Sequence, residues 1–274
     1  MFQQIRPSIF PPVVKNLLII NGLCYLANVV LADRGVIDLN AKLGLFYPES
    51  VFFQPFQLIT HVFMHGSFMH LLSNMFSLWM FGSQLENYWG PKRFFIFYFV
   101  TALGAAALHL GVNAYEIHQA KNLVAQFYAN ADYDGFLSLI QKDSYLSNDD
   151  RIIDFISAWR KDPSNPEFLA GAKEISDFLV VRKMNIPVVG ASGAVFGLLL
   201  GYGMLFPNTM LMLLFFPFPI KAKYFVMIFG AFELFQGFNS DPSDNVAHYA
   251  HLGGMLFGFI LLKIWNKTDR KHFY

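Results

Sequence analysis

A serine hydroxyl becomes a nucleophile only when a base stands within reach of its proton. Ser192 lies in Gly190-Ala191-Ser192-Gly193 and opens an apolar run, Ala194 to Phe206, in which Gly193, Gly197 and Gly201 recur every fourth position. A second small-residue stretch, Ala250-His251-Leu252-Gly253-Gly254, carries an imidazole. His251 shares a helical face with Ala247, Gly254 and Gly258. The two glycines form a G-x-x-x-G ridge, which lets helix axes approach closely. Ridge against ridge, Ser192 and His251 would come to the roughly 2.6–3.2 Å that a general base needs. Taken singly, Ser192 is a packing serine and His251 a satisfied core histidine. Their joint occurrence on complementary ridges favours chemistry.

A third polar group points the same way. His70 and Asn74 are four apart near the start of an apolar run, so their side chains share one helical face. Two such donors can bind a developing oxyanion; hydrogen-bonding glue between helices is an equal alternative from spacing alone. His61 and His65 precede them and read as structural groups at the water interface. Together with His70 they lack the H-E-x-x-H pattern and any carboxylate within a helical turn, so no metal site is expected. His248 lies three residues before His251. No span offers an aspartate as a third member, so the pair reads as a dyad. Phe196, one turn below Ser192, is placed to stack on the imidazole and hold it.

The elements that must carry these groups are apolar. Hydrophobic residues make up 55% of the chain and charged ones 14%, against about a quarter charged in a soluble domain. Apolar runs fall near 13–32, 69–85, 94–113, 190–206, 223–238 and 246–265. Each reaches or approaches the ~20 residues of a membrane-spanning helix. Cys24 is the single cysteine, which excludes an intrachain disulfide. No internal repeat of the transporter kind is visible, which disfavours a proton-path or channel reading of the histidines.

Six spans put both termini and the second and fourth loops on one side. Those segments carry Arg6, Lys15, Lys92, Arg93, Lys221, Lys223, Lys263, Lys267, Arg270 and Lys271, with Glu86 and Asp269 as acids. The opposite side holds Asp33, Asp38, Glu49, Asp241 and Asp244 against Arg34 and Lys42. The positive-inside rule then puts both termini in the cytoplasm. Residues 114–185 are polar, with apolar residues at helical spacing such as Ile152, Ile156 and Trp159, a helix start at Asp149-Asp150, and Pro163 and Pro166 as interruptions. They read as a small helical insertion outside the cytoplasm. The expected division is 1–113 for the first three spans and a long first loop, 114–185 for the insertion, and 186–274 for the last three spans and tail.

With these residues in hand, the chain resembles the rhomboid-family intramembrane serine proteases. The resemblance covers roughly 13–113 and 186–265. It rests on H-x-x-x-x-H-x-x-x-N at His65, His70 and Asn74, G-x-S-G at Ser192, and A-H-x-x-G-x-x-x-G at His251, Gly254 and Gly258, in family order. It implies an all-α, six-transmembrane-helix bundle, with the insertion between helices 3 and 4 as an addition to the minimal fold. It further implies Ser192 as nucleophile, His251 as base and later acid, and an oxyanion site from the Ser192 backbone N–H with His70 and Asn74. Phe196, Gly190, Gly193, Gly254 and Gly258 would be supporting residues, and Glu86 a structural acid. The first-loop pair that often reads Trp-Arg in the family is Phe56-Gln57 here. Expected partners are membrane-protein substrates with transmembrane helices and the lipid bilayer, with no cofactor, metal or nucleic acid. A catalytically inactive binder of transmembrane helices is the alternative, disfavoured because nucleophile and base are both present. The absence of an organelle-targeting segment suggests a bacterial plasma membrane.

Overall fold

The computed structural model describes residues 7–213, 216–239 and 247–269. Arg6, Asp241, Asp244, Arg270 and Lys271 of the charge pattern lie outside them.

Helix α1 (Pro12–Asp33) starts with proline at its first position, where a missing N–H costs nothing. Its next two amides donate to one buried carboxylate: Val13 N–H to Glu86 Oε1 at 2.9 Å and Val14 N–H to Oε2 at 2.8 Å. Glu86 thereby satisfies two of the orphan donors of a helix start and sets a negative charge at the positive dipole end. Farther along, α1 turns Ile19, Leu23 and Leu26 outward, and by length and composition it can cross a membrane.

A long first loop follows, with α2 (Leu39–Leu43) capped by Asp38 and α3 (Gln57–Thr60) running into a 3₁₀ turn at His61–Phe63. The second apolar run is one rod in three registers: α4 (Phe68–Ser77), a π-helical turn at Leu78–Gly82, and α5 (Ser83–Trp89). Helix α6 (Pro91–Ala129) is 39 residues long. The boundary expected at 113/114 lies inside it, because no proline or helix-ending glycine interrupts the chain there. The polar composition beyond 113 does not mark where the helix stops, and Ile117, Ala120, Val124 and Phe127 keep one face of α6 buried there.

Four more helices come next: α7 (Tyr133–Lys142), α8 (Ser144–Ser147), α9 (Asp150–Lys161) and α10 (Pro166–Met184). Asp132, Asp143, Asp149 and Asn165 cap them, each side chain accepting from a first-turn amide. They close a second core against the far half of α6, around Phe127, Phe136, Leu139, Trp159 and Leu179. α10 returns along α6 and delivers the chain to the serine segment.

Helix α11 (Ser192–Leu205) is apolar on every side, the pattern of a fully buried helix; Gly193, Ala194, Val195, Gly197, Leu198, Leu199 and Gly201 are among its buried residues. Among the described residues the one strand pair follows it, antiparallel β1 (Met210–Leu213) and β2 (Phe216–Lys221) with Leu211 opposite Ile220. Pro217 and Pro219 lack amide donors and exclude a helix there. Helices α12 (Ala222–Phe238) and α13 (His248–Asp269) complete the bundle. Its main core gathers Val14, Leu78, Phe81, Phe94, Phe97, Tyr98, Leu198 and Tyr202 around α11.

Candidate active site

The segment before α11 is pinned from the first loop. Leu45 and Val188 exchange backbone hydrogen bonds of 2.9 Å in both directions, and Gly190 N–H donates to the His61 carbonyl at 2.9 Å. His61 is held in turn through Nδ1, which donates to the Gln57 carbonyl at 2.8 Å. Gln57 is 1% exposed. Its Nε2 donates to the Phe52 and Lys42 carbonyls at 2.9 and 3.2 Å, and its Oε1 accepts from Gln54 and Phe46 amides at 3.1 and 3.4 Å. One amide side chain thus ties the loop together where Trp-Arg is common in the family.

Gly190 has φ 121°, a conformation that L side chains rarely adopt. A Cβ there would also stand 2.7 Å from His70 Nε2 and 3.7 Å from Asn74 Nδ2. The His70 and Asn74 side chains therefore converge on the turn that leads into Ser192. Asn74 is buried, and its Nδ2 has no hydrogen-bond partner among the described residues. His61 and His65 are buried, and His65 stands edge-on to His70 with ring centroids 5.0 Å apart.

Ser192 is the first residue of α11, so the amides around it have no intrahelical acceptor and sit at the positive end of the helix dipole. Its hydroxyl lies 2.9 Å from His251 Nε2. The His251 ring stacks on Phe196 with centroids 4.1 Å apart and planes 9° from parallel. A cavity of about 20 Å³, bordered by Ser192, His61, Gly190 and Ala250, has room for one water.

The glycine ridges explain why these helices approach so closely. Gly254 lies against the Gly193 backbone, where any Cβ would overlap the peptide group. One turn lower, Gly258 would place a Cβ 3.4 Å from the Gly197 carbonyl. The side-chain faces of Gly197 and Gly201 turn elsewhere, to Thr101 of α6 and to Phe97 and Trp89. The small face of α11 therefore serves two neighbours, α13 and α6.

From the sequence alone no role attaches to Glu233, or to His248, for which only the spacing to His251 is visible. Glu233 of α12 is buried, and its Oε2 lies 2.8 Å from His251 Nδ1 and 2.6 Å from His248 Nδ1. The pair Ser192–His251 is thus backed by a carboxylate, a glutamate where no span offers an aspartate. The available signal was a lone acid in the apolar run 223–238, since such groups are costly and mark function by default. Glu233, His248 and His251 also offer three ligand atoms within 4.8 Å of one another. Ligands about 2.0–2.1 Å from a tetrahedral zinc would stand roughly 3.3 Å apart. The observed 2.6 and 2.8 Å are hydrogen-bond lengths.

A family model described as the rhomboid domain matches residues 53–119 and 169–267. The chain belongs to the rhomboid family. No curated protein matches it. Membership makes this an integral membrane protein of a family whose members are generally intramembrane proteases, acting on membrane-protein substrates in the lipid bilayer. His70, Asn74, Ser192, Glu233 and His251 all fall within the matched stretches, and the unmatched residues 120–168 fall within the helical unit that α6 and α10 frame.

Proposed function

We propose that this rhomboid is an active intramembrane serine endopeptidase that cleaves its substrates in or near their transmembrane segments. The observation that carries the reading is the 2.9 Å approach of Ser192 Oγ to His251 Nε2 at the start of a buried helix. Ser192 Oγ attacks the scissile carbonyl carbon as its proton passes to His251 Nε2, and negative charge develops on the carbonyl oxygen. The Ser192 amide, His70 and Asn74 are the donors assigned to that charge, a reading supported by the approach of both side chains to the Gly190 turn. His251 then protonates the departing amine, leaving an acyl-enzyme. Water, deprotonated by the same imidazole, releases the second product and restores the serine. A substrate helix must unwind locally first, because helical carbonyls are hydrogen-bonded and shielded. Residues of weak helix propensity near the cut should therefore help.

Helices α1, α4–α5, α6, α11, α12 and α13 are taken as six spans, with both termini in the cytoplasm by the distribution of basic residues and the host a bacterial plasma membrane. The helical unit between the matched stretches then lies outside the cytoplasm, on the side of the site. Lys121 of that unit meets Glu49 of the first loop at 2.7 Å, and Asn185, just past α10, accepts from Ser50 Oγ at 2.7 Å, which suits a role in substrate access.

Fluorophosphonate labelling tests the proposal. The wild-type protein should label at Ser192, the Ser192→Ala variant not at all, and His251→Ala far more slowly. A wild-type protein inert to the reagent would instead be an inactive binder of transmembrane helices.

A further inference from the structure

We infer that Glu233 is the positioning acid of a Ser192–His251–Glu233 triad and that His248 orients Glu233; the inference rests on the protease reading above. An ionised carboxylate can only accept hydrogen bonds. Both imidazoles approach Glu233 Oε2 through Nδ1, at 2.6 and 2.8 Å, so both Nδ1 atoms carry protons. For neutral His251 this leaves Nε2 bare, with its lone pair toward the Ser192 hydroxyl 2.9 Å away. That is the tautomer a general base requires. The opposite tautomer would place N–H against O–H and leave Glu233 facing a lone pair.

Burial makes the arrangement difficult to explain as packing alone. Glu233 is 6% exposed on a helix whose other buried residues are Ala222, Phe225, Val226 and Gly237. A carboxylate in such surroundings is costly unless it is paired. Apolar residues would join α12 to α13 without that cost. A carboxylate charge counts most when the Ser192 proton reaches His251 Nε2, because the imidazolium then formed stands 2.8 Å from Glu233 Oε2. His248, three residues earlier on α13, meets the same oxygen at 2.6 Å. The carboxylate is therefore fixed between two donors and does not turn away when His251 changes charge. Phe196 fixes the plane of the imidazole, and Glu233 fixes which nitrogen carries the proton.

The test compares wild type, Ser192→Ala, Glu233→Gln and Glu233→Asp on a tagged transmembrane substrate. Glu233→Gln keeps size but removes the charge and admits the wrong tautomer. Its kcat should fall about 10²–10⁴-fold, with KM and thermal stability near wild type, as expected for loss of a triad acid. Glu233→Asp, which restores the charge, should recover at least tenfold of that loss. A Gln variant within threefold of wild-type kcat, or an Asp variant no better than Gln, overturns the inference. Should the variants fail to fold, ¹⁵N-histidine NMR of wild type decides. A resting His251 with its proton on Nδ1 supports the triad, and a proton on Nε2 overturns it. A wild-type enzyme that cleaves nothing, like Ser192→Ala, would strike the protease reading itself.

Discussion

Gly254 of α13 rests on the backbone of Gly193 in α11, one residue after Ser192 and three after His251. This contact sets the distance between the two helices, and so the reach of the imidazole to the hydroxyl. Side chains can swing aside, whereas a peptide group embedded in a helix cannot.

Gly254→Ala should therefore force α11 and α13 apart, at a cost of about 1–3 kcal/mol as for overpacking elsewhere. Activity should fall further than stability, because the Ser192–His251 contact opens. Gly22→Ala is the contrasting change. Gly22 lies inside α1, and an added Cβ meets nothing within 4 Å. That variant should gain about 0.5–1 kcal/mol from helix propensity with turnover unchanged. Thermal unfolding in detergent and initial rates measure both.

His70 and Asn74 make a separate prediction. Asn74→Ala or His70→Ala should lower kcat by about 10²–10³ with little change in KM, the pattern for donors engaged only as charge develops. Interhelical glue would give the reverse, a loss of melting temperature at near-normal kcat. Measuring both quantities on the same preparations separates the two roles.

The serine and histidine were legible because their spacing to glycines encodes helix contact directly. Glu233 was legible as an anomaly, one acid in the apolar run 223–238, but its partners depend on how α12 and α13 face each other, which period and composition do not specify. The length of α6 was hidden for a different reason. Composition turns polar after 113, while helix propensity continues to Ala129. The π turn at Leu78–Gly82 leaves no mark in an unbroken apolar run. Nor does residue type reveal that Gln57, rather than an arginine, would gather four hydrogen bonds across the first loop.

Gln57 carries the next expectation. Replacing it by Leu keeps bulk but leaves the Phe52 and Lys42 carbonyls and the Gln54 amide without their partner. Unsatisfied buried groups cost about 1–3 kcal/mol each, so Gln57→Leu should lower the melting temperature and expose the first loop to limited proteolysis. Since that loop also holds Gly190 through His61, activity should drop with it. Gln57→Glu should do less damage to the acceptor side than to the donor side, leaving an intermediate variant.

The most direct test is cleavage of a tagged transmembrane substrate in liposomes by wild type beside Ser192→Ala and His251→Ala. The account predicts product from wild type only, with a covalent acyl-enzyme trapped on Ser192. Product from the Ser192→Ala protein at the wild-type rate would contradict it.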